Sequence, residues 1–162
     1  MQTTTLQAQI RSAAPPSATP ERAGRNILAG VLVGAGTLLL PVAMFLPWYR
    51  AAGGGTLPAW GGYWFVVAGM LALFLAGAWL ALRILAGRPL PGPAVDAIIG
   101  LAFVVTITVV IALFIARPGG NTATAAAVGG YVGLAAINTI KGGAIVMTVS
   151  ARRRVTRGPA RA

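Results

Sequence analysis

The chain has no cysteine and no histidine, only two acidic residues, Glu21 and Asp96, and a single lysine, Lys141. Without cysteine there is no disulfide framework and no thiolate nucleophile; without histidine the imidazole bases and the common zinc and haem ligands are gone. The two carboxylates stand 75 positions apart, one of them in a polar N-terminal stretch, so a paired-carboxylate active site has no residues to draw on. No metal or cofactor is therefore expected. Charge is scarce overall, 9% of 162 residues, against about 25% in an ordinary soluble domain. It is also of one sign: thirteen Lys and Arg give a net charge of +11. A basic disordered tail or a histone-like nucleic-acid binder would be far less apolar than the 57% found here, with a mean hydropathy of +0.80. The cations must sit at the edges of apolar blocks.

Four such blocks can be read. The first, 26–46, has 21 residues and would rise about 32 Å as a helix, enough for a hydrocarbon core of about 30 Å. A signal peptide is the rival reading, since Ala51-Ala52-Gly53 resembles a small-residue cleavage site. A signal h-region is shorter than this block, which favours an uncleaved span. The second, 62–84, is free of charge until Arg83 and carries Ala68, Ala72 and Ala76 on one narrow face. The third, 95–116, is rich in Val and Ile but has no internal turn signal, so it reads as a helix in lipid. The fourth, 124–149, is the most polar and holds Lys141. Residues 1–25, rich in Thr, Ser, Pro and Gln, read as a disordered tail, and 151–162 as a second, basic tail.

Ten arginines precede the first block, flank the middle connection or follow the fourth block, and only Arg50 and Arg117 fall in the other two connections. The positive-inside bias then places both termini in the cytoplasm of a bacterial cell, with the chain in the plasma membrane. Short connections make sequential helices antiparallel neighbours, so the expected fold is all-α, an up-down-up-down four-helix transmembrane bundle. Trp48, Tyr49, Trp60, Tyr63 and Trp64 cluster about the first outer loop, where aromatic rings would mark the outer membrane interface.

The string Phe45-Leu46-Pro47-Trp48-Tyr49, followed by Ala59-Trp60, and the later Gly130-Tyr131-Val132-Gly133-Leu134 resemble motifs of a group of small actinobacterial four-span membrane proteins. The resemblance covers 26–154. It implies an integral membrane protein and carries no activity with it.

Within the spans, the fourth block concentrates the candidate chemistry. Lys141 falls about nine residues, or about 13 Å, inside its cytoplasmic end, where an ammonium is costly and therefore a functional candidate. Tyr131, Leu134, Asn138, Lys141, Ile145 and Thr148 recur at spacings of three and four, forming a polar face expected to avoid lipid. A second stripe, Gly129, Gly133, Ala136, Ile140 and Gly143, lies about a third of a turn away. Gly129 and Gly133, like Gly30 and Gly34 in the first block, which is followed by Gly36, match the small-residue pattern of close helix contact. Asp96 has two readings: a partner for Lys141, or a carboxylate in the first turn of the third helix that offsets its dipole. Arg152, Arg153, Arg154 and Arg157 determine topology and are placed to attract anionic lipid headgroups. No aromatic residue interleaves with them, so nucleic acid is not an expected partner.

Three functions fit. The first is a non-enzymatic scaffold or accessory subunit, packing against another membrane protein or as a homo-oligomer. The second is a small channel or transporter lined by Asn138 and Lys141. The third is a holin-like pore former with a basic tail.

Overall fold

The computed structural model describes residues 20–51, 53–115 and 123–156. Most of the chain is helical: α1 (Pro20–Phe45), α2 (Trp64–Leu85), α3 (Gly92–Val110, continued by a π-helical turn over Ile111–Ile115) and α4 (Val128–Thr156). Each contains a segment long and apolar enough to cross a membrane: Ile27–Phe45, Trp64–Leu85, Gly92–Ile115 and Val128–Val149. These match the four apolar blocks, because a run of about twenty residues with neither charge nor turn signal satisfies its backbone hydrogen bonds most simply as one helix. α1 begins at Pro20, so the last residues assigned to the N-terminal tail are helical; the rest of that tail lies outside the described residues. α4 likewise runs past the fourth span through Arg152–Arg154 to Thr156.

Each helix packs on its neighbours in chain order, and α1 and α4 close the ring with the most extensive contact of all. Glycine makes that approach close. A Cβ on Gly36 would stand 2.7 Å from the Ala136 carbonyl oxygen, and one on Gly143 would stand 2.9 Å from that of Ala29. Early α1 therefore meets late α4, and the two helices run in opposite directions. The core between the helices is apolar, filled by Val33, Leu40, Met70, Leu73, Leu80, Ile137 and Ile140. Thr37 is the buried polar side chain among the described residues, and its hydroxyl donates to the Val33 carbonyl at 2.7 Å.

The bundle departs from all-α at one end. Strands β1 (Pro47–Ala51), β2 (Thr56–Pro58) and β3 (Ala123–Ala126) form an antiparallel sheet in the order β2-β1-β3. The two connections expected as outer loops are thereby joined, with Arg50 opposite Ala125. The fourth block accordingly starts as strand, and its helix begins at Val128. At the opposite end α2 stops at a left-handed Gly87 (φ +62°), and the Pro89-Leu90-Pro91-Gly92-Pro93 run cannot continue a helix until α3 starts.

Candidate functional site

Two places gather the residues singled out in the sequence: the sheet end of the bundle and the outer face of α4. At the sheet end, β1 carries Trp48 and Tyr49 side by side, and strand geometry would send them to opposite faces. Both are instead buried, at 0% and 1% exposure. The pairing of β1 with β2 slips between Pro47 and Tyr49, so that two residues of β1 stand opposite one of β2, a bulge that turns the extra side chain inward. The indole Nε1 of Trp48 donates to the Ala43 carbonyl at 2.7 Å, and the Ala127 amide donates to the Trp48 carbonyl at 2.7 Å.

Gly129 and Gly133 make the slot for this indole. A Cβ at Gly129 would stand 2.6 Å from Trp48 Cδ1, and one at Gly133 would stand 3.0 Å from Cζ2. The Tyr49 hydroxyl donates to the Ala112 carbonyl, in the π-helical turn, over 3.4 Å. Burial, with a smaller contribution from neighbouring Tyr63, pushes the Tyr49 phenol up to about 12 from its ordinary 10.0.

Trp48 and Tyr49 are therefore not interface rings, as their cluster suggested; they plug the end of the bundle, because the bulge and the two glycines give large rings an interior place. Trp60 and Trp64 do stand exposed, and Tyr63 is half-buried. Phe45 packs on Trp60 with ring centroids 5.6 Å apart, and Tyr63 stacks on Phe65 at 5.0 Å.

On α4 the polar stripe, expected to avoid lipid, does not lie in the core of the bundle. Tyr131 and Asn138 are exposed, and Lys141 and Thr148 are half-buried. The glycine and alanine stripe takes the interior, with Gly133, Ala136, Ile140 and Gly143 buried. Close contact with α1 requires small residues, and that requirement fixes which side of α4 faces in. Asn138 Nδ2 donates to the Leu134 carbonyl at 2.8 Å, and Thr148 Oγ1 to that of Ala144 at 3.2 Å. At the sheet end of α4 Tyr131 meets Phe114, in the π-helical turn after α3, with ring centroids 6.2 Å apart.

Asp96 and Lys141 are not joined. No ion pair links them among the described residues, and Asp96 is exposed. Nor does Asp96 sit in the first turn of α3, which begins at Gly92 and holds no acidic residue; the helix starts three residues earlier than the hydropathy indicated. Of the four glycines assigned to helix packing, Gly30 approaches Ile84 (3.2 Å from a built Cβ) and Gly34 has nothing within 4 Å, while Gly129 and Gly133 serve Trp48. The close helix contacts belong to Gly36, Gly143 and Gly77, where a Cβ would strike Thr37 Oγ1. Arg152, Arg153 and Arg154 lie in the last turns of α4, and Arg157 is outside the described residues. Comparison with protein-family models, with curated proteins and with solved structures finds no match.

Proposed function

We propose that the chain is a multi-pass protein of the bacterial plasma membrane. Its four helices cross up-down-up-down with both termini cytoplasmic. It acts as a non-enzymatic scaffold or accessory subunit that binds another membrane protein, or its own kind, through the outward face of α4. Membrane insertion is supported by the outer surface of the bundle, where Leu38, Leu75, Leu82 and Phe103 stand exposed on three successive helices. In water such a belt would be an aggregation surface; hydrocarbon solvates it. The basic ends of α1 and α4, with Arg22, Arg25 and Arg152–Arg154, then meet the anionic inner leaflet, at about 1 kcal/mol per cation.

The observation that carries the subunit reading is the outward stripe of α4. An exposed amide with a half-buried lysine beside it is costly on a span if lipid covers them, at about 2.5–3.5 kcal/mol for the lysine alone. A protein partner lowers that cost by supplying hydrogen-bond groups. The channel reading has weaker support, because Asn138 is exposed on α4 and not turned into the bundle.

The test is membrane fractionation with cysteine labelling of the full chain. Gly55→Cys should react with an impermeant maleimide on intact cells, and Arg88→Cys only after permeabilisation. A chain that stays in the supernatant, or the opposite labelling pattern, overturns the placement. Asn138→Leu combined with Lys141→Met should abolish comigration of the detergent-extracted chain in a larger complex; an unchanged complex overturns the α4 interface.

A further inference from the structure

Resting on the α4 interface just proposed, we infer that its occupant is a second copy of this chain, docked face to face along a coiled-coil seam centred on Asn138. Six residues define the seam: Tyr131, Ala135, Asn138, Gly142, Ile145 and Val149. They follow one another at spacings of four, three, four, three and four. This is the a/d alternation of the heptad, the spacing at which two helices pack side by side with about 20° between their axes. Five of the six are exposed and Gly142 is half-buried, so the bundle has not used this side of α4.

The seam is also shaped for close approach. Ala135 and Gly142 flank Asn138 above and below, and a Cβ added to Gly142 would meet nothing within 4 Å. Small residues on either side of a polar one let two backbones come near enough for the polar groups to bond.

Self-association follows from the chemistry of the central residue. Two copies in one membrane share the same orientation, so a two-fold axis relating them runs along the membrane normal and holds every residue level with its counterpart. Asn138 is the seam residue that a matching copy satisfies, because an amide both donates and accepts. Its Nδ2 gives one hydrogen to the Leu134 carbonyl, leaving one N–H and the Oδ1 oxygen for the partner amide. Lys141 precedes Gly142 and flanks the seam, so the two ammonium groups stand on opposite sides of the axis and do not meet. A polar residue at one seam position also fixes register, since any slip would set the amide against Ala135 or Gly142.

The chain has no native cysteine, so single substitutions in the full-length protein report contacts directly in membranes. Ala135→Cys, Gly142→Cys and Ile145→Cys should give disulfide-linked dimers on oxidation with copper phenanthroline. Leu71→Cys and Leu75→Cys, exposed on α2, should remain monomeric. Between donor- and acceptor-labelled chains in vesicles of phosphatidylcholine and phosphatidylglycerol, Asn138→Ala should weaken energy transfer by about five- to thirty-fold in dissociation constant. Cross-links absent from the seam, or equal on α2, overturn the pairing, as does energy transfer unaffected by Asn138→Ala. A membrane-integrated chain that is monomeric by both measures, yet enters a complex with a different protein dependent on Asn138 and Lys141, overturns the second copy and leaves the subunit function standing.

Discussion

Trp48 shows how much one side chain can decide. Its indole is buried, its Nε1 is paired with Ala43, and it occupies a slot that exists only because Gly129 and Gly133 lack a Cβ. Trp48→Ala should cost about 3–5 kcal/mol, the range for removing a large buried ring, measured as a drop in midpoint when detergent-solubilised protein is unfolded. Gly129→Val should be comparably harmful for the opposite reason, since the new atoms would strike the Leu46 and Pro47 carbonyls as well as the indole.

Tyr49 has a consequence in alkaline solution. Its phenol titrates at about 12 in the fold against 10.0 for the free group, so between those values the unfolded chain holds fewer protons than the folded one. The stabilisation is whole below pH 10 and is lost as the pH climbs toward 12. The phenolate absorbance of the native protein minus that of Tyr49→Phe should rise near pH 12. A difference signal rising near pH 10 would mean that the ring reaches water.

Among the elements, the α1–α4 contact separates glycines that the sequence treats alike. Gly34 has open space around it and Gly36 has α4 backbone within 3 Å of a built Cβ. Gly34→Ala should leave stability unchanged or raise it by up to about 1 kcal/mol through helix propensity, whereas Gly36→Ala should lower it by about 1–3 kcal/mol. Thermal unfolding of the two variants side by side checks this, and equal effects would count against the packing. The four helices were legible because each is a long uninterrupted apolar run. Which side of α4 faces inward was not: periodicity groups Tyr131 with Asn138 and Gly133 with Ala136, but the interior side is set by backbone clearance at Gly36 and Gly143. The sheet was harder still to read, because its strands are three to five residues long and β1 pairs with a strand more than seventy residues later. Ala51→Cys with Ala123→Cys, partners across β1 and β3, should form an intrachain disulfide that speeds migration under non-reducing conditions; no such species would argue that the two connections do not pair.

At the scale of the whole molecule, the distribution of polar groups is inverted relative to a pore. The space between the four helices is filled by Leu, Ile, Val and Met side chains, and the hydroxyl of Thr37 is spent on its own helix. The sheet end is stoppered by Trp48 and Tyr49, held by hydrogen bonds to Ala43 and Ala112. The Asn138 amide and the Tyr131 phenol stand on the exposed side of α4, with Lys141 half-buried beside them, where another protein can meet them. Conduction through a single chain would need water along an axis lined by these apolar side chains, which offer it no hydrogen-bond partners. Purified protein diluted into vesicles to less than one chain each should therefore release potassium or a small dye no faster than protein-free vesicles, with Lys141→Met the same. A flux that persists at this dilution and falls with Thr37→Val would place a polar path inside the bundle. A flux that appears only as protein density rises and falls with Asn138→Ala would instead locate any path between copies, along the seam itself.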